Sequence, residues 1–180
     1  MEEAQKFRAN NGVEVTLRVA IPSDAGGILK TIKSTAPERS FVLMEQYGKN
    51  AESERDYILG LDPEENLLLV AIMEGEVVGS LGALQADEGQ NPQTGHILRV
   101  GLHLGQPYRG LGIGARMLLY TSEWAREHGF KKLEASIFTT NQRSLHLFSR
   151  AGFQEEGTRR KRFWVGNDYV DEVLMGKILD

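Results

Sequence analysis

The chain contains no cysteine. That removes disulfides, thiolate metal sites and cysteine nucleophiles together, and with them any acyl group carried on a protein thiol. Proline is sparse, five in 180 residues, and no Pro-, Ser- or charge-rich stretch marks a linker. The expectation is one domain over residues 13–180, preceded by a polar extension over residues 1–12, MEEAQKFRANNG. Eighteen apolar residues never run together, and the first residues lack the apolar core of a signal peptide. A soluble cytoplasmic protein with no membrane partner is expected. A positive balance is missing too. The formal charge of -4 repels nucleic acid and suits a small amine better than a polyanion. The basic run Arg159-Arg160-Lys161-Arg162 stands apart, and reads as a solvated strand edge, as a contact for an anionic ligand, or, least in keeping with the rest, as a nucleic-acid patch.

Hydrophobic residues make up 41% of the chain, enough for a core without staples. Their spacing predicts the elements. Val13–Ala20 alternates as a strand, and Pro22-Ser23-Asp24 opens a helix over Ala25–Ile32, capped by Ser23 or Asp24 and locally weakened by Gly26-Gly27. The stretch from Ser34 to Asn50, with Phe41, Leu43, Met44 and Tyr47, reads as a loop and short helix bordering a substrate pocket. A helix over Ala51–Leu61 follows. Asn66–Met73 and Val77–Leu84 form a hairpin about Glu74-Gly75-Glu76. Beyond a polar loop come a strand at Gly95–Leu104, a helix at Gly112–His128 and a strand at Lys132–Phe138. A helix capped by Asn141 ends at Gly152, and the closing hairpin pairs Phe153–Phe163 with Tyr169–Leu179. The fold class is α/β: a mixed sheet of about seven strands with flanking helices. The fourth and fifth strands are parallel, since a helical crossover joins them.

The stretch Leu98 to Arg116, LRVGLHLGQPYRGLGIGAR, organises the chain. An apolar strand runs into a glycine-rich turn and then into a long amphipathic helix. A helix start has N–H groups without intrahelical partners and the positive end of the helix dipole. Glycine lets an anion approach the backbone, and Arg109 adds a cationic fork. A diphosphate is therefore expected at Arg109, Gly110, Leu111, Gly112, Ile113 and Gly114. A Walker-type loop does not fit, because Ala115-Arg116 stand where Lys and Ser or Thr are required. A dinucleotide fold stays open on the glycines, with Glu134 about 20 residues on, yet the chain lacks the further strand–helix units of a doubly wound sheet.

Arg109-Gly110-Leu111-Gly112-Ile113-Gly114 resembles the R/Q-x-x-G-x-G/A motif of the GNAT superfamily of acetyl-coenzyme A dependent N-acetyltransferases. Asn141, Ser144, Leu147-Phe148 and Gly152-Phe153 resemble that family's N-x-x-A/S-x-x-L-Y-x-x-x-G-F helix. Glu156-Gly157 and Gly166-Asn167-Asp168-Tyr169-Val170-Asp171 are similar to its bacterial members. The likeness runs from Val13 to Leu179. It implies that the coenzyme lies where the fourth and fifth strands splay. There Leu102, His103 and Leu104 pair with the pantetheine arm, and the Leu104 N–H polarises the thioester carbonyl. The glycine turn holds the pyrophosphate. Asn141, Ser144 and Phe148 line the arm and Arg150 reaches the outer phosphate, although Asn141 also reads as a plain helix cap.

The family's usual tyrosine proton donor is Phe148 here, and the strand positions where relatives carry a base are Leu98 and Val100. Glu134 and His96 are the candidates for deprotonating the amine through water, and Tyr169 or Tyr108 for supplying a proton, against bland readings as surface or hydrogen-bonded groups. Phe41, Tyr47 and Trp164 are candidate walls of an acceptor pocket. His103, His128 and His146 have no metal spacing, and no metal is expected. The activity implied is direct acetyl transfer from acetyl-coenzyme A to a primary amine, of a small molecule or a protein N-terminus, with a non-catalytic acyl-coenzyme A sensor as the alternative. A homodimer stays open.

Overall fold

The computed structural model describes residues 4–35 and 50–180. The pocket-bordering residues Phe41, Leu43, Met44 and Tyr47 lie outside them. Among the described residues eight strands form one sheet in the order β1-β2-β3-β4-β5-β6-β8-β7: β1 Gln5–Arg8, β2 Glu14–Val19, β3 Leu67–Met73, β4 Glu76–Gln85, β5 Ile97–Leu104, β6 Lys132–Phe138, β7 Gln154–Val165 and β8 Asp168–Ile178. Every neighbouring pair is antiparallel except β5 and β6. The extra strand is β1, which pairs with β2 through Phe7↔Val15 and Lys6↔Thr16. Its sequence QKFR is polar because it is a short edge strand whose side chains are mostly exposed, so no apolar alternation announced it.

Among the described residues four helices cover the sheet: α1 Ala25–Thr35, α2 Ala51–Gly60, α3 Ile113–Glu127 and α4 Gln142–Arg150. Alternation along β3 sorts them onto two faces. Leu67, Leu69, Ala71 and Met73 join the main core with Ile113, Met117, Leu118 and Phe148 of α3 and α4. Val70, flanked by Leu68 and Ile72, packs with Ile28, Ile32 and Ile58 of α1 and α2. Gly27 does more than weaken its helix, since a Cβ there would come within 2.8 Å of Val77. Its absence sets how closely α1 lies on β4.

Asp24 does not cap α1. It lies in a 3-10 turn over Pro22–Asp24, where its carboxylate accepts from the Ile21 N–H at 2.8 Å and from both Arg18 guanidinium nitrogens at 2.6 and 2.8 Å. Burial opposes charge on this carboxyl, but the Arg18 and backbone hydrogen bonds win and hold its pKa below the usual value. Among the described residues no helix is long and apolar enough to cross a membrane.

Candidate active site

β5 and β6 are paired only over Ile97↔Lys132, Leu98↔Leu133 and Arg99↔Glu134. Beyond Arg99 the two strands part, as the family resemblance implies for its fourth and fifth strands. Which main-chain groups face the opening follows from the ladders. Gly105 donates to the Val78 carbonyl at 3.0 Å, one step beyond the Gly79↔Leu104 pair of the β4–β5 register. Hydrogen-bonded pairs alternate along an antiparallel ladder, so Ser80↔His103 and Gly82↔Gly101 are the next ones. The N–H and C=O groups of Leu102 and Leu104 therefore turn away from β4 and into the gap. His103, expected with them, has its main-chain groups turned to Ser80 instead. On the other wall, Thr139 donates to Asp171 at 3.0 Å, which assigns the odd residues of β6 to β8 and leaves the main chain of Ser136 facing the gap.

The gap leads to the glycine turn. Gly110 and Gly112 have φ of +74° and +83°, values that favour glycine, and both are exposed. Ile113 is buried and Leu111 packs on the main core, so side chains anchor the turn while its N–H groups stay outside. α3 begins without a side-chain cap and without an acid in its first turn. Its first intrahelical donor is Arg116, which reaches the Gly112 carbonyl at 3.2 Å. Ile113, Gly114 and Ala115 thus present donors that no helical carbonyl takes. Gly114 has a packing reason as well: a Cβ there would meet Leu147 at 3.0 Å and Leu104 at 3.3 Å. Its absence brings the start of α3 against both β5 and α4. Arg109 folds back to the end of β5, its Nε donating to the Leu104 carbonyl at 3.0 Å. This closes the loop that carries it.

Asn141 does cap α4, its Oδ1 accepting from the Ser144 N–H at 3.1 Å. Phe148 is 3% exposed and meets Phe153 edge-on at 4.9 Å, a core ring, while Arg150 is exposed at the C-terminal end of α4. Leu98 and Val100, where relatives carry a base, are buried in the main core.

The structure separates the candidate proton carriers. Glu134 stands in the last β5–β6 pair, at the apex of the gap, with Lys132 Nζ at 3.0 Å. His96 is exposed and precedes the paired segment, roughly 13 Å from Val100 along the strand at ~3.3 Å per residue. Tyr169 is 57% exposed on the β7–β8 hairpin, edge-on to Trp164 at 4.7 Å. His103 points to the sheet face that carries α1 and α2, and burial pushes its imidazole pKa down to about 4.

A polar cluster that the sequence did not disclose lies beside the gap on that same face. Glu172 is 4% exposed; it accepts a hydrogen bond from the Ser136 hydroxyl and pairs with Arg159 at 3.1 Å and Arg162 at 3.7 Å. Residues three apart on a regular strand point to opposite faces. Here the β7–β8 register shifts between Arg159 and Phe163, and Lys161 takes φ +50° with its N–H on the Asp171 carboxylate at 2.6 Å. This bulge brings both arginines to one carboxylate. The only advance signal was the basic run itself.

A site built this way can receive an anion at the α3 start and an extended amide-bearing arm along Leu102 and Leu104. The description "Acetyltransferase (GNAT) family" belongs to the family model that matches residues 34–153. L-amino acid N-acetyltransferase AaaT of Escherichia coli is 26% identical over 114 residues, which are 61% of this chain and 67% of that protein. An acetyltransferase of the GNAT family from Streptococcus pneumoniae has the same fold, with a TM-score of 0.84 at 23% identity over 92% of this chain and 99% of its own. So has yncA of Salmonella typhimurium, solved with its cofactor acetyl-CoA, with a TM-score of 0.83 at 18% identity over 92% and 94%. Motif, splayed strands and family match agree, and the chain belongs to the GNAT family of acetyltransferases, which use acetyl-coenzyme A.

Proposed function

We propose that this enzyme acetylates small primary amines that also carry a carboxylate, by direct attack of the amine within a ternary complex. The observation that carries the reading is the gap beyond Arg99↔Glu134, where the Leu102 and Leu104 donors run into an uncapped, glycine-lined helix start. Those groups fit the coenzyme. The N–H groups from Leu111 to Ala115 suit a diphosphate, reinforced by Arg109, and the strand-like edge suits the amides of the pantetheine arm. Asn141, Ser144 and Arg150 flank the same channel from α4.

Acetyl-coenzyme A supplies the activated acetyl group and the thiol leaving group. Leu104 donates its N–H to the carbonyl oxygen, where negative charge grows as the amine nitrogen bonds to the carbonyl carbon. The C–S bond breaks with its electron pair on sulfur. A thiol of pKa ~8.5 leaves as the thiolate without a side-chain acid, in keeping with a phenyl ring at Phe148. Glu134 at the apex receives the amine proton through water. An α-amino group of pKa ~8 is already partly neutral at pH 7, so a weak base serves.

Arg159 and Arg162, oriented by Glu172 beside the gap wall at Ser136, suit the carboxylate of the acceptor. The relative AaaT bears the name of an L-amino acid N-acetyltransferase, which supports that acceptor class. The test is initial-rate kinetics with acetyl-coenzyme A and matched pairs of L-amino acids and their amides. Intersecting double-reciprocal lines and a preference for the acids are expected, with the preference lost in the Arg159→Ala/Arg162→Ala variant. Parallel lines, or equal rates for acid and amide, would refute the reading.

A further inference from the structure

The glycine turn is held from a distance. Asn10, in the tight turn between β1 and β2, donates its backbone N–H to the Leu111 carbonyl at 3.1 Å and its Nδ2 to the Gly110 carbonyl at 3.2 Å. Gly112 lies against it, since a Cβ there would be 3.5 Å from Asn10 Oδ1. One turn into α3, the Arg116 guanidinium sits over the Phe7 ring of β1 at 5.5 Å. The support is itself rigid. Ala9 donates to Val13 at 2.9 Å, Gly12 to Ala9 at 2.8 Å, and Arg8 closes on the Gly12 carbonyl at 2.9 Å. Ala9 is buried in the main core.

Peptide planarity converts these two bonds into a statement about the opposite side of the turn. In a trans peptide the N–H points away from the preceding C=O. Fixing the Gly110 and Leu111 carbonyls on Asn10 therefore turns the N–H groups of Leu111 and Gly112 away from β1, in sequence with the open donors of Ile113 and Gly114. Successive N–H groups around a left-handed residue make an anion-binding concavity, and Gly112, at φ 83° and ψ -5°, is that residue. Without Asn10 the two peptides are free to rotate, and the donors lose their common aim.

We infer that Asn10 is a positioning residue for the coenzyme: it presets the Leu111 and Gly112 N–H groups for a diphosphate that it does not itself touch. This rests on the coenzyme reading above. It also gives the β1–β2 turn, outside the recognised motifs, a part in binding.

The test is calorimetric titration of coenzyme A and of pantetheine, which lacks the diphosphate, into the wild type, Asn10→Ala and Asn10→Asp. Asn10→Ala keeps the backbone bond and loses the Nδ2 donor, so coenzyme A should bind about 3- to 10-fold more weakly. Asn10→Asp also sets a carboxylate against the Gly110 carbonyl and puts a negative charge across the turn from the diphosphate, and should weaken binding roughly 10- to 100-fold. Pantetheine affinity should stay within twofold in both, and urea midpoints confirm that the variants fold. Unchanged coenzyme A affinity in Asn10→Ala, or equal losses for coenzyme A and pantetheine, would overturn the inference and leave the coenzyme site standing. Failure of the wild type to bind coenzyme A would remove the site and the inference together.

Discussion

The two halves of the proposed site are built from different materials. The coenzyme half is main chain: the Leu102 and Leu104 donors, the glycine turn and the open start of α3, all within fourteen consecutive residues. The acceptor half is side chain: Ser136 on β6, Arg159 and Arg162 on β7, and Glu172 on β8, assembled by sheet pairing and a bulge. Main-chain donors recognise what every acetyl-coenzyme A has in common. Side chains gathered from separate strands can change one at a time, which suits the part of the reaction that differs between relatives.

The comparison breaks most sharply at Gly112. Gly112→Asp brings in a residue type that tolerates positive φ, but its Cβ would lie 3.5 Å from Asn10 Oδ1, so the carboxylate disturbs the hold on the turn and adds negative charge next to the diphosphate donors. Coenzyme A affinity should fall on the order of 100-fold or more, and the urea midpoint should fall modestly, since a non-glycine residue at this φ costs about 1 kcal/mol. Calorimetry and denaturation on the same samples check this.

His103 sharpens the comparison by standing on the strand of the coenzyme half while facing the acceptor side. Its folded pKa of about 4 lies below the ordinary 6.5, so between those values the unfolded chain binds the proton more readily than the folded one. Its contribution to stability is full above pH 6.5 and is lost as pH falls toward 4. From pH 7 to pH 5 the wild type should lose about 2 kcal/mol relative to His103→Gln, read from urea midpoints. A neutral imidazole above pH 5 also predicts that this substitution leaves the pH–rate profile between 6 and 8 in place.

Glu172→Gln tests whether the acceptor half works as a unit. The variant keeps the shape and removes the charge that holds Arg159 and Arg162. The KM for a carboxylate-bearing acceptor should rise about 10-fold, with coenzyme A affinity unaltered. The smallest effect belongs to Phe148→Tyr. The ring is a core member against Phe153, so a hydroxyl should cost about 1 kcal/mol of stability and leave kcat unchanged. A rise in kcat would mean that the ring reaches the leaving sulfur.

The same division explains what the sequence disclosed. Gly110, Gly112, Gly114 and Asn141 could be read because glycine at a turn and asparagine at a helix start are local requirements, expressed in neighbouring residues. The parallel pairing of β5 and β6 followed from the helix between them. β1 was missed because an edge strand need not alternate, and Asn10 because its partners are a hundred residues away. The capping of α1 by Asp24 failed because Arg18, six residues upstream, claims its carboxylate. The Glu172 cluster was invisible because regular alternation would have sent Arg159 and Arg162 to opposite faces, and only the bulge at Lys161 reunites them.

The most direct measurement is an amide NMR titration of the protein with coenzyme A. The account predicts that the largest shifts fall on the N–H groups of Leu102, Leu104 and Leu111 to Ala115, with His103 moved far less because its N–H belongs to β4. Shifts centred on the β7–β8 hairpin, or equal shifts at all three residues from Leu102 to Leu104, would contradict it.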